Sequence, residues 1–256
     1  MSHVLRFSDL LSSRFLDPVV VANIADAALQ RSDIICSYRY HPPSSKPSHV
    51  TWRGVDMHRD TDSFCVSQSL KLFPAKTPLP QLLLSSNPQP AEALTSVALR
   101  GFGKTSFQLF NSIMVGDGKE QLAVCERTFV RTSKGRPLPF TDSERGVLSG
   151  LVEAGEAGAN DGVHFAEHKS GEGDAEGEPE TLVATLTLSP QHTNFGNHVD
   201  HAALLSLASL AQPPGPERPT SYKIDYVSQG KVGDEVEVVR LGDGRGAVVR
   251  GLRGDL

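Results

Sequence analysis

The densest set of side chains able to do chemistry lies between His192 and His201, in the stretch HTNFGNHVDH. Asn194, His198, Asp200 and His201 are the candidate catalytic residues. An imidazole is a suitable proton acceptor near neutral pH, and a carboxylate can serve in the same role. An asparagine orients a water or a carbonyl group but takes no proton. A helix starts immediately downstream. Its N-terminus offers free backbone N–H groups and the positive end of the helix dipole. The amides of Gly196 and Asn197 are therefore candidates for holding a developing oxyanion, and glycine lets a ligand approach the backbone closely. Each residue also has a plainer reading. Asn194 caps a turn, Asp200 caps the helix, and His198 and His201 sit solvated in the first turn. What argues for chemistry is the crowding of these groups, with His192, into ten residues.

The elements that position this segment can be read from the pattern. TLVATLTLSP, from residue 181, alternates Leu182, Ala184, Leu186 and Leu188 with threonines, as a half-buried strand does. A polar loop follows, then the apolar helix HVDHAALLSLASLA, stopped by Pro213 and Pro214. Strands are expected at Tyr222–Val227, Glu235–Leu241 and Gly246–Leu252, with glycine-bearing turns between the later ones. One largely apolar helix followed by successive strands implies an antiparallel sheet wrapped around that helix, an α+β arrangement.

The first 150 residues show the same order. A short strand, HVLRF, precedes Asp17-Pro18, an N-cap and first-turn pair that opens the helix VVVANIADAALQ. IICSYRY, SVALRGF, TSFQLFNSIMV and LAVCERTFVRT read as strands. Residues 41–93 interrupt the order as a long Pro/Ser-rich insertion containing the strand-like VTWRGVDM. The segment 14–29 aligns with 197–212 without a gap, which puts Asp17 on Asp200 and Leu16 on Val199 and suggests an internal duplication. The expected organisation is an N-terminal unit over 1–150, a flexible acidic Gly/Glu-rich linker over 151–180, and a C-terminal unit over 181–256 that carries the candidate site. In the first unit Leu11, Phe15 and Pro18 fall on Asn194, His198 and His201, so that half is expected to be non-catalytic.

Composition narrows the alternatives. The net charge is −5 and no dense Lys/Arg run exists, so no nucleic-acid partner is expected. Cys36, Cys65 and Cys125 lie far apart with no Cys/His metal spacing, so neither a metal nor a disulfide framework is expected. No cofactor is implied. No run approaches the roughly 18 apolar residues that a membrane span needs. Reduced thiols suit the cytoplasm, while Arg6 and Arg14 leave organelle targeting open.

HTNFGNHVDHAALLSLASLA, following a strand, resembles the strand-to-helix signature of hot-dog-fold acyl thioesterases. In the 4-hydroxybenzoyl-CoA thioesterase-like branch that signature reads Asp-x-Asp-x-x-Gly-x-Val-x-x-His. In the plant acyl-carrier-protein thioesterases it reads Asp-x-Asn-x-His-Val-Asn-Asn, and here His198-Val199-Asp200-His201 stands in place of His-Val-Asn-Asn. The stretch 103–140 is similar to the last strands of the fold. The resemblance implies a tandem, or double, hot-dog acting on an acyl-CoA or acyl-ACP thioester by water attack. It also matches His198 to the motif histidine of the plant enzymes and His201 to that of the bacterial branch. The usual carboxylate falls on Asn194, a departure that requires another group to take the proton. The pattern Asp60-Thr61-Asp62 lacks the Gly-x-Val-x-x-His continuation and is read as an acidic turn. Thr193 stands where hot-dog hydratases carry an aspartate, which disfavours a hydratase. No further strand is expected after Leu252, which would leave an open sheet edge. That keeps in view a second reading, a catalytically inactive hot-dog protein serving as an acyl-chain-binding or assembly module. A homodimer of double hot-dogs is compatible with either.

Overall fold

The computed structural model describes residues 2–31, 50–52, 55–57, 61–85, 91–116, 120–156, 180–193, 199–212, 219–226, 230–241 and 247–252. The chain divides into two compact units, Met1–Val163 with Thr220–Tyr226, and His164–Pro219 with Val227–Leu256. In chain order the elements are β1 (Ser2–Val4), α1 (Pro18–Arg31), β2 (Val50–Trp52), β3 (Val55–Met57), β4 (Thr61–Leu72), α2 (Leu79–Ser85), β5 (Glu92–Phe102), β6 (Ser106–Val115), β7 (Glu120–Ser133), β8 (Arg136–Pro137), α3 (Asp142–Glu156), β9 (Thr181–Thr187), α4 (His201–Leu210), β10 (Ser221–Asp225), β11 (Glu235–Arg240) and β12 (Ala247–Gly251).

The first unit is an antiparallel sheet in the order β1-β5-β6-β7-β4-β10, with β8 paired to the end of β7. Helix α1 packs on one face of it. Val21 and Ile24 of the helix share a core with Leu70, Leu72, Ala93, Ile113 and Ala123. Asp17 caps α1 by accepting from the Val19 N–H at 2.8 Å, as the Asp-Pro pair predicts. The next row of the same face has a polar middle. Leu109, Arg127, Gln68 and Ile224 are register neighbours across four strands. The Arg127 guanidinium is fully buried. It donates to Asp26 Oδ1 at 2.7 Å and to the Ala22 carbonyl at 3.1 Å, which ties the sheet to α1. The Tyr226 hydroxyl donates to Gln68 Oε1 at 3.0 Å, fixing the end of β10 against β4.

Three features differ from the sequence reading. The insertion 41–93 contains β4, a central 12-residue strand between β7 and β10. Its inner positions include Gln68 and Cys65, so the alternation of apolar residues that marks a strand is missing. Residues 142–156 form α3, which continues six residues into the stretch read as a linker. The helix opens with a reciprocal cap: the Thr141 N–H donates to Glu144 Oε2 at 2.7 Å, and the Glu144 N–H donates to Thr141 Oγ1 at 3.3 Å. Arg131 Nη1 also reaches Glu144 at 2.7 Å, and both side chains are buried. Third, β10 follows the second helix in sequence yet pairs with β4 of the first unit. The expected strand IICSYRY, together with residues 157–179 of the acidic stretch, lies outside the described residues.

The second unit has a three-stranded sheet, β12-β11-β9, with α4 packed on it among the described residues. Leu188, Leu207, Ala211, Val236 and Val238 form its core. A register shift opposite Val238/Val239 lets Ala184 and Leu186 face the core while Leu182 is 56% exposed, against the expected unbroken alternation. Arg240 Nε donates to the Ala211 carbonyl at 2.5 Å, satisfying an end carbonyl of α4.

Candidate active site

The candidate segment joins β9 to α4. A 3₁₀ turn over Pro190–His192 ends the strand side. Thr193 and Val199 then form an isolated antiparallel bridge, and the Asp200 N–H donates to the His192 carbonyl at 2.9 Å. These backbone pairs form a neck that brings the two ends of the stretch 194–198 together directly before α4. Asn194, Gly196, Asn197 and His198 lie in that stretch, outside the described residues.

Gly230 buttresses the neck. Its carbonyl accepts from the Val199 N–H at 3.2 Å. A Cβ there would stand 2.7 Å from Val199 Cγ2 and 2.9 Å from Leu188 Cδ1, so glycine is what allows this approach. The adjoining turn requires glycine too: Gly233 has φ +92°, and its N–H donates to the Leu188 carbonyl at 2.8 Å.

Asp200 is the N-cap of α4, and its Oδ1 accepts from the Ala202 N–H at 3.2 Å. It does for α4 what Asp17 does for α1, in agreement with the gapless alignment of the two helices. His201 is the first residue of α4 and is partly exposed. The structure therefore brings Asp200 and His201 together at the helix N-terminus, with His192 across the neck. The first-unit counterparts Leu11, Phe15 and Pro18 carry no acid–base group there.

His192 has a defined hydrogen-bond setting: the Ser189 N–H donates to its Nδ1 at 3.0 Å, and Ser189 Oγ lies 3.2 Å from the same atom. The sequence reading noted His192 only as part of the crowding. The local signal was Ser189, three residues upstream, at a position where a side chain can return to the turn backbone.

Cys65 and Cys125 are free thiols buried in the first unit. Burial pushes Cys65 up to about 12 and raises Cys125 as well, so neither is a nucleophile at neutral pH. Among the described residues no cluster of His, Cys, Asp or Glu could hold a metal ion.

No protein-family model and no curated protein matches the chain. Solved structures do. An acyl-ACP thioesterase from Bacteroides thetaiotaomicron superposes with a TM-score of 0.62 at 12% identity, covering 98% of this chain and 94% of that one. The 12:0-ACP thioesterase from Umbellularia californica gives 0.61 at 11% identity, over 98% and 91%. A protein assigned as an oleoyl thioesterase from Lactobacillus plantarum gives 0.53 at 11%, over 93% and 81%. At these identities the likeness is one of fold, and the chain has the α+β double hot-dog fold of those thioesterases.

Proposed function

We propose that the protein hydrolyses an acyl thioester, carried on coenzyme A or acyl carrier protein, at the segment 192–201 that leads into α4. The observation that carries the proposal is the pairing of the residues on either side of 194–198. They are held by the Thr193–Val199 bridge and the His192–Asp200 backbone bond, at the N-terminus of a capped helix. Backbone N–H groups at such a terminus stabilise an oxyanion. The full-length likeness to two acyl-ACP thioesterases supports the same reaction class.

In this reading Asn194 orients the thioester carbonyl or the attacking water, and the amides of Gly196 and Asn197 hold the oxyanion. A base takes one proton from the water as its oxygen adds to the carbonyl carbon. The tetrahedral intermediate collapses, the C–S bond breaks, and the base returns the proton to the leaving thiolate. Of the three candidates, Asp200 already spends its carboxylate on the helix cap, which favours His198 or His201 as that base. The residues need no cofactor or metal for this chemistry. No described helix is long and apolar enough to cross a membrane. We place the protein in the cytoplasm, on the ground of its free buried thiols. A homodimer of double hot-dogs is compatible with this reading.

A second reading, an inert acyl-chain-binding or assembly module, draws on the occupied Asp200 and on Asn194 standing in place of the usual carboxylate. The discriminating experiment is Asn194→Ala assayed by thiol release. The hydrolase reading expects kcat to fall about a hundredfold with Tm unchanged, the scale for losing one oriented donor. Unchanged turnover would remove Asn194 from the mechanism.

A further inference from the structure

We propose that the first unit holds a binding site for an aliphatic alcohol, built by Gln68, Asn111 and Arg127 on the sheet face that α1 covers. The inference uses only groups of the first unit and is independent of the hydrolase reading.

Its basis is a set of buried polar atoms whose hydrogen bonds are unmade. Gln68 is 1% exposed, and Asn111 and Arg127 are 0% exposed. Among the described residues Gln68 Nε2, Asn111 Nδ2, Asn111 Oδ1 and Arg127 Nε have no hydrogen-bond partner. A buried donor or acceptor left unmade costs more than an ordinary hydrogen bond contributes, so native cores leave few of them. Here they fall in one patch. Arg127 is the register partner of Gln68, and Cys125, two residues before Arg127, is the register partner of Asn111. Residues two apart on a strand share a face, so the three polar side chains stand around Cys125. The donors of Gln68 and Arg127 favour the Cys125 thiolate, but burial outweighs them and raises the group. A neutral thiol is a weak acceptor and does not replace an oxygen there. The other polar atoms of the two side chains are engaged. Gln68 Oε1 accepts from Tyr226, while Arg127 Nη1 and Nη2 donate to Asp26 and to the Ala22 carbonyl. Those bonds hold the unmade N–H groups in place.

The donors and acceptor that remain specify the ligand. A hydroxyl accepts from the N–H groups and donates to Asn111 Oδ1. A ketone would leave that oxygen unmade. Asp26 already pairs with Arg127 at 2.7 Å, so a carboxylate would add a second buried negative charge with no counter-charge. The Arg127 guanidinium repels an ammonium group. On the same face Leu70 partners Cys125, and Leu109 and Ile113 flank Asn111; all are buried, so the group that carries the hydroxyl is aliphatic. Ala22, Ala25 and Ala28 on the buried side of α1 bring only methyl groups, a lining that admits a chain between helix and sheet.

NMR of the isotopically labelled full-length protein, titrated with n-octanol, methyl hexyl ketone and octanoate, reads the site directly. The side-chain amide resonances of Asn111 and Gln68 should shift saturably with n-octanol. The ketone, which cannot donate to Asn111 Oδ1, should bind about tenfold more weakly, and octanoate more weakly again. Asn111→Leu replaces the unmade amide by an apolar group of similar shape. It should bind n-octanol at least about tenfold more weakly, with Tm equal to or above that of the wild type. No saturable shift of the two amides with n-octanol would overturn the proposal and leave the patch to ordered water. Equal affinity for n-octanol and octanoate would overturn it too, as would wild-type n-octanol affinity in Asn111→Leu. The wild-type titration decides the matter even if that variant does not fold. Thiol release plays no part in these measurements, so a protein inert on every thioester would defeat the hydrolase reading and leave this site standing.

Discussion

At the scale of single residues, the groups proposed to do chemistry differ from the groups that hold the helix end. Asp200 belongs to the second kind: its carboxylate accepts from the Ala202 N–H, and asparagine caps a helix as well as aspartate does. Asp200→Asn should therefore keep both stability and turnover, whereas Asp200→Ala should lose about 1 kcal/mol of unfolding free energy in urea titrations. A large drop in kcat for Asp200→Asn at unchanged stability would instead make Asp200 the base. The double variant His198→Ala with His201→Ala should abolish the neutral-pH limb of the rate profile, and survival of that limb would return the assignment to Asp200. The buried thiols give a prediction independent of activity. With Cys65 pushed up to about 12 and Cys125 raised by burial, peptide mapping after brief iodoacetamide treatment of native protein should find both unmodified. Much of the residue level was legible in advance, because Asp17 and Asp200 announce themselves as caps by their place before an apolar helix. The His192 setting was not, since it depends on how Ser189 and the 3₁₀ turn fold back on the ring.

At the scale of elements, the site depends on a neck that leaves no room. Gly230→Ala would force a methyl group within 3 Å of Val199 and Leu188, so it should destabilise the protein by about 1–3 kcal/mol and depress kcat by disturbing the Val199 pairing. Full activity in that variant would show that the neck geometry does not matter for turnover. Helix α3 offers a pH test. Burial pushes the Glu144 carboxyl up, but the Arg131 hydrogen bond and the two Thr141 donors outweigh it and hold the group below its ordinary value. A depressed carboxylate contributes stability above its unfolded value, roughly pH 4, and loses it as the pH falls through the folded one. Glu144→Gln should cost about 3 kcal/mol at neutral pH, where Arg131 is left buried and unpaired, and the gap should close in acid. A gap that stays constant with pH would contradict the ion-pair account. β6 and β7 were readable because both are rich in buried apolar residues and are bounded by glycine-bearing turns. β4 was not, because Gln68 and Cys65 take up inner-face positions there. The signal for α3 was present in Thr141-Asp-Ser-Glu144, a capping box before an apolar run.

At the scale of the whole molecule, two units carry matching capped helices, and acid–base groups stand at both helix starts: His3 and Asp9 beside the cap of α1, His192 and His201 beside that of α4. The duplication was visible in the sequence as a gapless helix alignment. The assignment of Thr220–Tyr226 to the first unit was not, since strand pairing across a long separation leaves no local mark. In the proposed reading the first unit is a scaffold, and its stability should reside in contacts such as Arg127–Asp26. Asp26→Ala should lower the unfolding free energy by about 3 kcal/mol by stranding a buried guanidinium, and a change below 1 kcal/mol would contradict that role. The central claim is that the second unit turns this fold into a hydrolase. Its most direct test is free-thiol release by the purified full-length chain across acyl-CoA and acyl-ACP substrates of increasing chain length. Saturable, multiple-turnover release of thiol is expected on at least one member, lowered about a hundredfold in Asn194→Ala. Folded protein that releases no thiol from any of them would contradict it and leave the inert binding module.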